Sequence, residues 1–152
     1  IELQKDADIW TVTINRPDKA NSLTHAMLTE LAEIMESAST ARAVILTGQG
    51  KVFSAGADLE EAVAGLAPSV MKLGFLPQPS DPKRMAALIG PSRTKLILMG
   101  GQKIDATEAL AFGLIDRIVE GSEMLDHAGD LCALTVAAKP DIAAEIKRMC
   151  SL

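Results

Sequence analysis

The residues best suited to chemistry stand in one short run, Phe53-Ser54-Ala55-Gly56-Ala57-Asp58-Leu59, where a strand end passes through small side chains into a helix. Small side chains let a ligand approach the main chain, and Gly56 permits dihedrals that other residues resist. The amide of Ala57, close to a helix N-terminus, is then placed to donate a hydrogen bond to an oxyanion, a geometry that stabilises an enolate. Asp58, at the helix start, complements the positive end of the helix dipole. The same Ala-Gly-Ala also suits a plain tight turn between strand and helix, so the run by itself leaves both readings open.

Other chemical signals are weaker. Gly48-Gln49-Gly50-Lys51 has the look of a phosphate loop, but Val52 follows where Ser or Thr is required, which argues against ATP. Ser54 lacks the glycine two residues earlier that a nucleophile elbow needs, and His25 and His127 show no spacing that would make either its base. Asp58, Glu60, Glu61 and Asp81 could carry protons, yet residues of this kind more commonly cap helices or stand solvated at the surface. Cys132 and Cys150 have no companion at ligand spacing, so no metal site and no disulfide framework is expected; both read as buried or inert thiols.

The elements that must position the run follow from periodicity. Trp10, Val12 and Ile14 alternate with Thr11, Thr13 and Asn15, which predicts a half-buried first strand ending at Arg16-Pro17-Asp18. From Thr24, Met27, Leu28, Leu31, Ile34, Met35 and Ala38 share one helical face, giving a helix of about four turns. Ala43 to Thr47 is a short apolar run closed by Gly48, as in a strand buried on both faces. Leu59 to Leu66 reads as a helix, and Lys72 to Pro77 as a loop or strand fragment. Met85 to Ile89 and Arg93 to Met99 are helical stretches, with Pro91 suited to a first helical position. Asp105-Ala106-Thr107-Glu108 predicts a capping box whose helix Gly113 closes. Leu114 to Val119 looks like a strand, Met124 to Ala138 like an amphipathic helix, and Pro140 opens a last helix through Met149.

With 152 residues and 48% apolar content, the chain suits one globular domain that buries about 70% of its unfolded surface. Its net charge of −5 and lack of tyrosine disfavour nucleic acid and acidic membranes as partners, although a few amides and cations can still hold a small polyanionic ligand. No apolar run reaches membrane-spanning length and the amino end shows no basic leader or signal-type stretch, so a soluble, cytoplasmic protein is expected. The chain opens at Ile1 without Met, so residues of a longer polypeptide can be missing from it.

Taken in order, Asn15-Arg16-Pro17, Asn21-Ser22-Leu23, Val44 to Gly48, Phe53 to Leu59, Leu73 to Pro77, Arg84 to Gly90, Met99 to Ala106 and Ala106 to Val119 resemble successive blocks of the crotonase (enoyl-CoA hydratase/isomerase) superfamily. The resemblance spans nearly the whole chain, and the 54–59 loop and the 106–119 unit are its most specific parts. It implies an α/β fold, a ββα spiral core over residues 1–120 followed by the start of a helical, oligomerising region at 121–152. It also implies an acyl-CoA-processing enzyme, with coenzyme A entering as part of the substrate, no permanently bound cofactor, and assembly as a homotrimer or dimer of trimers.

By the same resemblance, Lys19, Ala20, Ala55, Gly56, Ala57, Asp58, Leu59 and Glu60 would hold the adenine and pantetheine portions. Leu76 and Pro77 would approach the acyl group, and Ala57 N–H would meet the thioester oxygen. Glu60 departs from the family's frequent lysine, which weakens one contact to the nucleotide end. The family's glycine-rich second donor and first glutamate belong between Ala67 and Pro68, where this chain lacks a long segment that relatives carry. Ser69 stands where the second glutamate is expected. Serine is no general acid or base near neutral pH, so it disfavours two-carboxylate hydration and is suited to capping a turn or hydrogen bonding substrate.

Overall fold

The alternation around Trp10 has a simple outcome: Trp10, Val12 and Ile14 turn one face of a strand into the core, with 7%, 0% and 1% of their surface exposed. Burial of such side chains stabilises the fold by about 1.5–3 kcal/mol each. The computed structural model describes residues 1–58 and 79–150, and the chain divides into two units, Ile1–Asp58 with Ser122–Leu152, and Leu59–Gly121. The expected helix over Leu59 to Leu66 and the fragment Lys72 to Pro77 lie outside the described residues. Among the described residues, no helix is long and apolar enough to cross a membrane.

In the first unit the sheet begins earlier than the sequence predicts. Strand β1 (Glu2–Asp6) pairs antiparallel with β2 (Ile9–Ile14), from Glu2 opposite Thr13 to Asp6 opposite Ile9. All five β1 residues are exposed, so they carry no alternating pattern, and β2 supplies the pairing. On the other side of β2 lies β3 (Ala43–Gly48), parallel to it from Ile9 opposite Ala43 to Ile14 opposite Gly48. Parallel neighbours need a crossover, and α1 (His25–Ser37) provides it. Thr24 opens that helix by accepting a hydrogen bond from Met27 N at 3.2 Å.

The strand over residues 43–48 differs from expectation in its burial. Of its six residues Thr47 alone is buried, and Leu46 is 42% exposed. β3 is at the edge of the described sheet, so its side chains have a strand neighbour on one side only.

The second unit contributes α2 (Ser80–Ile89), α3 (Pro91–Leu98) and α4 (Ala106–Phe112). Pro91 occupies the first turn of α3, as predicted. The capping box is present: Glu108 N donates to Asp105 Oδ1 at 2.8 Å and Asp105 N to Glu108 Oε2 at 3.1 Å. The strand expected over Leu114 to Val119 does not form. Its first amides fold back instead, Leu114 N to Ala109 O at 2.9 Å and Ile115 N to Ala109 O at 3.4 Å, completing the end of α4. Ile89, Thr94 and Ala109 are the buried residues of these helices, and Thr94 donates its hydroxyl to Gly90 O.

The chain then returns to the first unit with α5 (Met124–Ala137) and α6 (Pro140–Cys150). Arg42, just before β3, donates from Nη2 to the carbonyls of Thr135 at 2.7 Å and Ala138 at 2.5 Å, satisfying acceptors at the end of α5 that the helix itself leaves unpaired. Cys132 is half-buried and Cys150 exposed, so of the two alternatives, buried or inert, the first holds for neither.

Candidate active site

The neighbourhood of Ala57 is assembled from a turn at residues 16–23 and a loop at 48–58, both in the first unit. At its centre Asn21 is wholly buried. Its side-chain oxygen accepts from Arg16 N at 2.8 Å, and its Nδ2 donates to Gln49 O at 2.9 Å and Val52 O at 2.6 Å. One side-chain amide thereby ties together two segments that are distant in sequence. The turn is tight enough that Ala20 and Asn21 both adopt the left-handed region, at φ 49° and 54°. Asn tolerates that conformation through local polar contacts, whereas Ala is strained there. Close approach also explains Gly48: a Cβ at that position would lie 2.5 Å from Phe53 O.

A second polar cluster lies beside the first. Arg16 Nη1 forms an ion pair with Asp58 Oδ2 and also reaches Ser22 O and Ser22 Oγ, each at 3.3 Å. Ser22 Oγ donates to Asp58 Oδ2 at 3.2 Å. The Asp58 side chain is only 5% exposed. The expectation of a solvated surface charge is therefore corrected: its carboxylate points inward to Arg16. Loss of Arg16 would leave that buried carboxylate without this cation, at a cost of about 3 kcal/mol. That is the low end for a buried pair, because the Arg16 side chain is 27% exposed.

The loop itself is pinned by a one-residue parallel bridge between Leu23 and Ala57. Leu23 N donates to Gly56 O at 2.8 Å, Asp58 N donates to Leu23 O at 2.9 Å, and Ala55 N donates to Ala20 O at 2.9 Å. The Gly56–Ala57 peptide is trans and planar, so its N–H points opposite to its carbonyl. With the Gly56 carbonyl turned toward Leu23, the Ala57 N–H is directed away from it. Ala57 is exposed, and its amide has no hydrogen-bond partner among the described residues. Gly56 has φ 91°, strained for any side chain, and a Cβ there would meet nothing within 4 Å among the described residues.

Of the residues singled out from sequence, Lys19, Ala20, Ala55, Gly56, Ala57 and Asp58 are brought together on this turn and loop. Lys19 ends a short 3-10 helix (Pro17–Lys19) and is exposed, and the half-buried Ala20 follows it. Leu59, Glu60, Glu61, Ser69, Leu76 and Pro77 lie outside the described residues. Asp81 is exposed in the first turn of α2. Ser54 is no nucleophile in this arrangement: its Oγ donates to Asn21 O at 2.9 Å and accepts from Gly56 N at 3.1 Å. His127 stands on α5, 4.0 Å from Glu123. The bridging role of Asn21 and the Arg16–Asp58 pair are not evident from sequence, where only the family blocks Asn15-Arg16-Pro17 and Asn21-Ser22-Leu23 hint at them.

Solved structures carry the same architecture. An enoyl-CoA hydratase from Mycobacterium tuberculosis H37Rv superposes with a TM-score of 0.86 at 22% identity, covering 95% of this chain and 86% of its own. An enoyl-CoA hydratase/isomerase from Pseudoalteromonas atlantica T6c gives 0.87 at 18% identity, covering 97% and 81%. The fold is thus the α/β crotonase fold. In sequence, the chain is 28% identical to a short-chain-enoyl-CoA hydratase of Clostridium acetobutylicum over 91% of this chain and 76% of that protein. It is 24% identical to a carnitinyl-CoA dehydratase of Escherichia coli K12, over 98% and 79%. The match to the Clostridium protein runs over 198 residues, more than the 152 present here, so that protein has internal residues without a counterpart in this chain. The family model for enoyl-CoA hydratase/isomerase matches residues 4–69 and again 64–151, and the chain belongs to that family of acyl-CoA-processing enzymes.

Proposed function

We propose that this chain binds an acyl-CoA thioester across the 19–20 turn and the 55–60 loop, polarises the thioester carbonyl at Ala57 N–H, and stabilises the enolate-like intermediate of hydration or double-bond isomerisation. The observation that carries the reading is the exposed Ala57 amide, unpaired among the described residues and aimed away from Leu23. Main-chain atoms of Lys19, Ala20, Ala55, Gly56, Asp58, Leu59 and Glu60 would hold the nucleotide and pantetheine, and Leu76 and Pro77 the acyl group. Coenzyme A is then part of the substrate, and no resident cofactor is required.

The spiral core is assigned to residues 1–120 and the oligomerising region to 121–152, with a segment absent between Ala67 and Pro68 that would bring the second oxyanion donor. Two observations support the absent segment: the family model matches in two stretches that meet at residues 64–69, and the Clostridium alignment exceeds the chain's length. Intact-mass measurement of the natural protein tests it, since a value near 16.0 kDa would rule the segment out. Self-assembly as a trimer or paired trimers is supported by the apolar side chains that α5 and α6 leave exposed. A cytoplasmic location accords with the acyl-CoA substrate.

Incubation of the full-length protein with a panel of enoyl-CoA and hydroxyacyl-CoA esters should give interconversion of at least one pair. Ser69, in place of a family glutamate, favours a second reading, an acyl-CoA-binding protein without turnover. Tight binding of the panel with no product would establish that reading over the first. Failure to bind any ester in calorimetry would remove both.

A further inference from the structure

The direction of the Ala57 N–H depends on one peptide plane, and that plane has little of its own to hold it. Gly56 contributes no side chain, and among the described residues nothing lies within 4 Å of where its Cβ would stand. What does hold it is a pair of main-chain bonds to Leu23, followed immediately by the inward-facing carboxylate of Asp58. The partner of that carboxylate, Arg16, also grips Ser22 O, on the very segment that carries Leu23. Arg16 further organises the turn through its main chain: its carbonyl accepts from Lys19 N at 3.1 Å and Asn21 N at 2.9 Å. One guanidinium therefore fastens both sides of the single-pair bridge.

We propose that Arg16, Asp58 and Ser22 are positioning residues that set the direction of the Ala57 amide toward a bound thioester oxygen. Their side chains act through the loop backbone. Arg16 Nη1 joins the Asp58 carboxylate to Ser22 O and Ser22 Oγ, and these directional bonds restrain the loop where a main-chain bridge of one residue pair does so poorly. Donor placement matters in this way because a misplacement of about 1 Å can cost about 10²-fold in rate. The inference rests on the reading of Ala57 N–H as the oxyanion donor.

The test uses the full-length protein with crotonyl-CoA for turnover and butyryl-CoA labelled with carbon-13 at the carbonyl for infrared difference spectroscopy. In the wild type, the bound carbonyl stretch should move to lower frequency. Asp58→Asn should lose much of that movement and lower kcat by about 10²-fold, with KM nearly unchanged, the pattern of a contact made chiefly in the transition state. Arg16→Lys, which keeps the charge but loses the planar group that reaches both Asp58 and Ser22, should fall between. Ser22→Ala, which deletes the hydroxyl's bonds to Asp58 and from Arg16 but almost no volume, gives a smaller loss in the same direction and serves if Asp58→Asn does not fold. Retention of wild-type kcat and of the full carbonyl shift, with only thermal stability reduced, would overturn the positioning role. A wild-type complex with no carbonyl shift would instead sink the Ala57 reading, and the positioning role with it.

Discussion

Around the Ala57 loop the buried side chains include Asn21 at 0% exposure and Asp58 at 5%, each engaged by several partners. In α5 and α6 of the same unit no residue is buried, and Leu131, Leu134, Ile142, Ile146 and Met149 are all more than half exposed. The first region thus buries polar groups and the second displays apolar ones, the reverse of the usual partition. Hydrogen bonds are directional, so a polar core is suited to aiming a main-chain donor. Apolar contact has no preferred direction and scales with area, so the helices are suited to covering another surface. Position is obtained in one region, and adhesion is offered in the other.

Substitutions that exchange these roles would break the comparison. The largest effect is expected from Ala57→Pro, which deletes the donor itself: steady-state turnover of crotonyl-CoA should fall about 10²- to 10³-fold with the circular dichroism spectrum retained. Next, Asn21→Ala leaves Gln49 O, Val52 O and Arg16 N without their partner. It should lower unfolding free energy by about 3 kcal/mol in urea titrations. A cost below about 1 kcal/mol would mean that the polar core gives no rigidity. In the other region, Leu134→Lys alters a residue that is 85% exposed. It should change subunit stability by less than about 0.5 kcal/mol, while sedimentation shows a smaller assembly. The smallest effect belongs to Glu145→Gln. The hydrogen bond from Arg148 holds the Glu145 carboxyl below its usual range, outweighing a slight opposing effect of desolvation. Its contribution to stability is therefore present at neutral pH and disappears as acid protonates it below the ordinary carboxylate range. The pair is fully solvated, so thermal melts of the variant and parent should coincide at pH 7.

Sequence makes the local parts of this molecule legible. Thr24, the Asp105–Glu108 box and Pro91 are read within one helical turn, and the alternation of Trp10, Val12 and Ile14 within one strand. β1 is illegible because all of its residues face solvent and its order comes from β2. The 114–119 run misleads because apolar composition cannot disclose that two of its amides are needed to close α4. At the proposed site, the small residues of 54–57 mark the loop that leaves the Ala57 amide exposed, since they act through the local backbone. The partner of Asp58 does not show itself, because Arg16 lies 42 positions away and only the fold brings them together.

The parallel pairing of β2 with β3 also imposes an order of events. The β1–β2 hairpin turns at Ala7-Asp8 and can close at once, whereas β3 must wait until α1 has carried the chain across. Closing that longer excursion is slow relative to a hairpin. The 54–58 loop follows β3 in the chain, and three main-chain bonds, two to Leu23 and one to Ala20, hold its backbone in place. Such a feature is the natural first casualty of mild denaturant, so catalytic competence would fade while helical signal still reads as native.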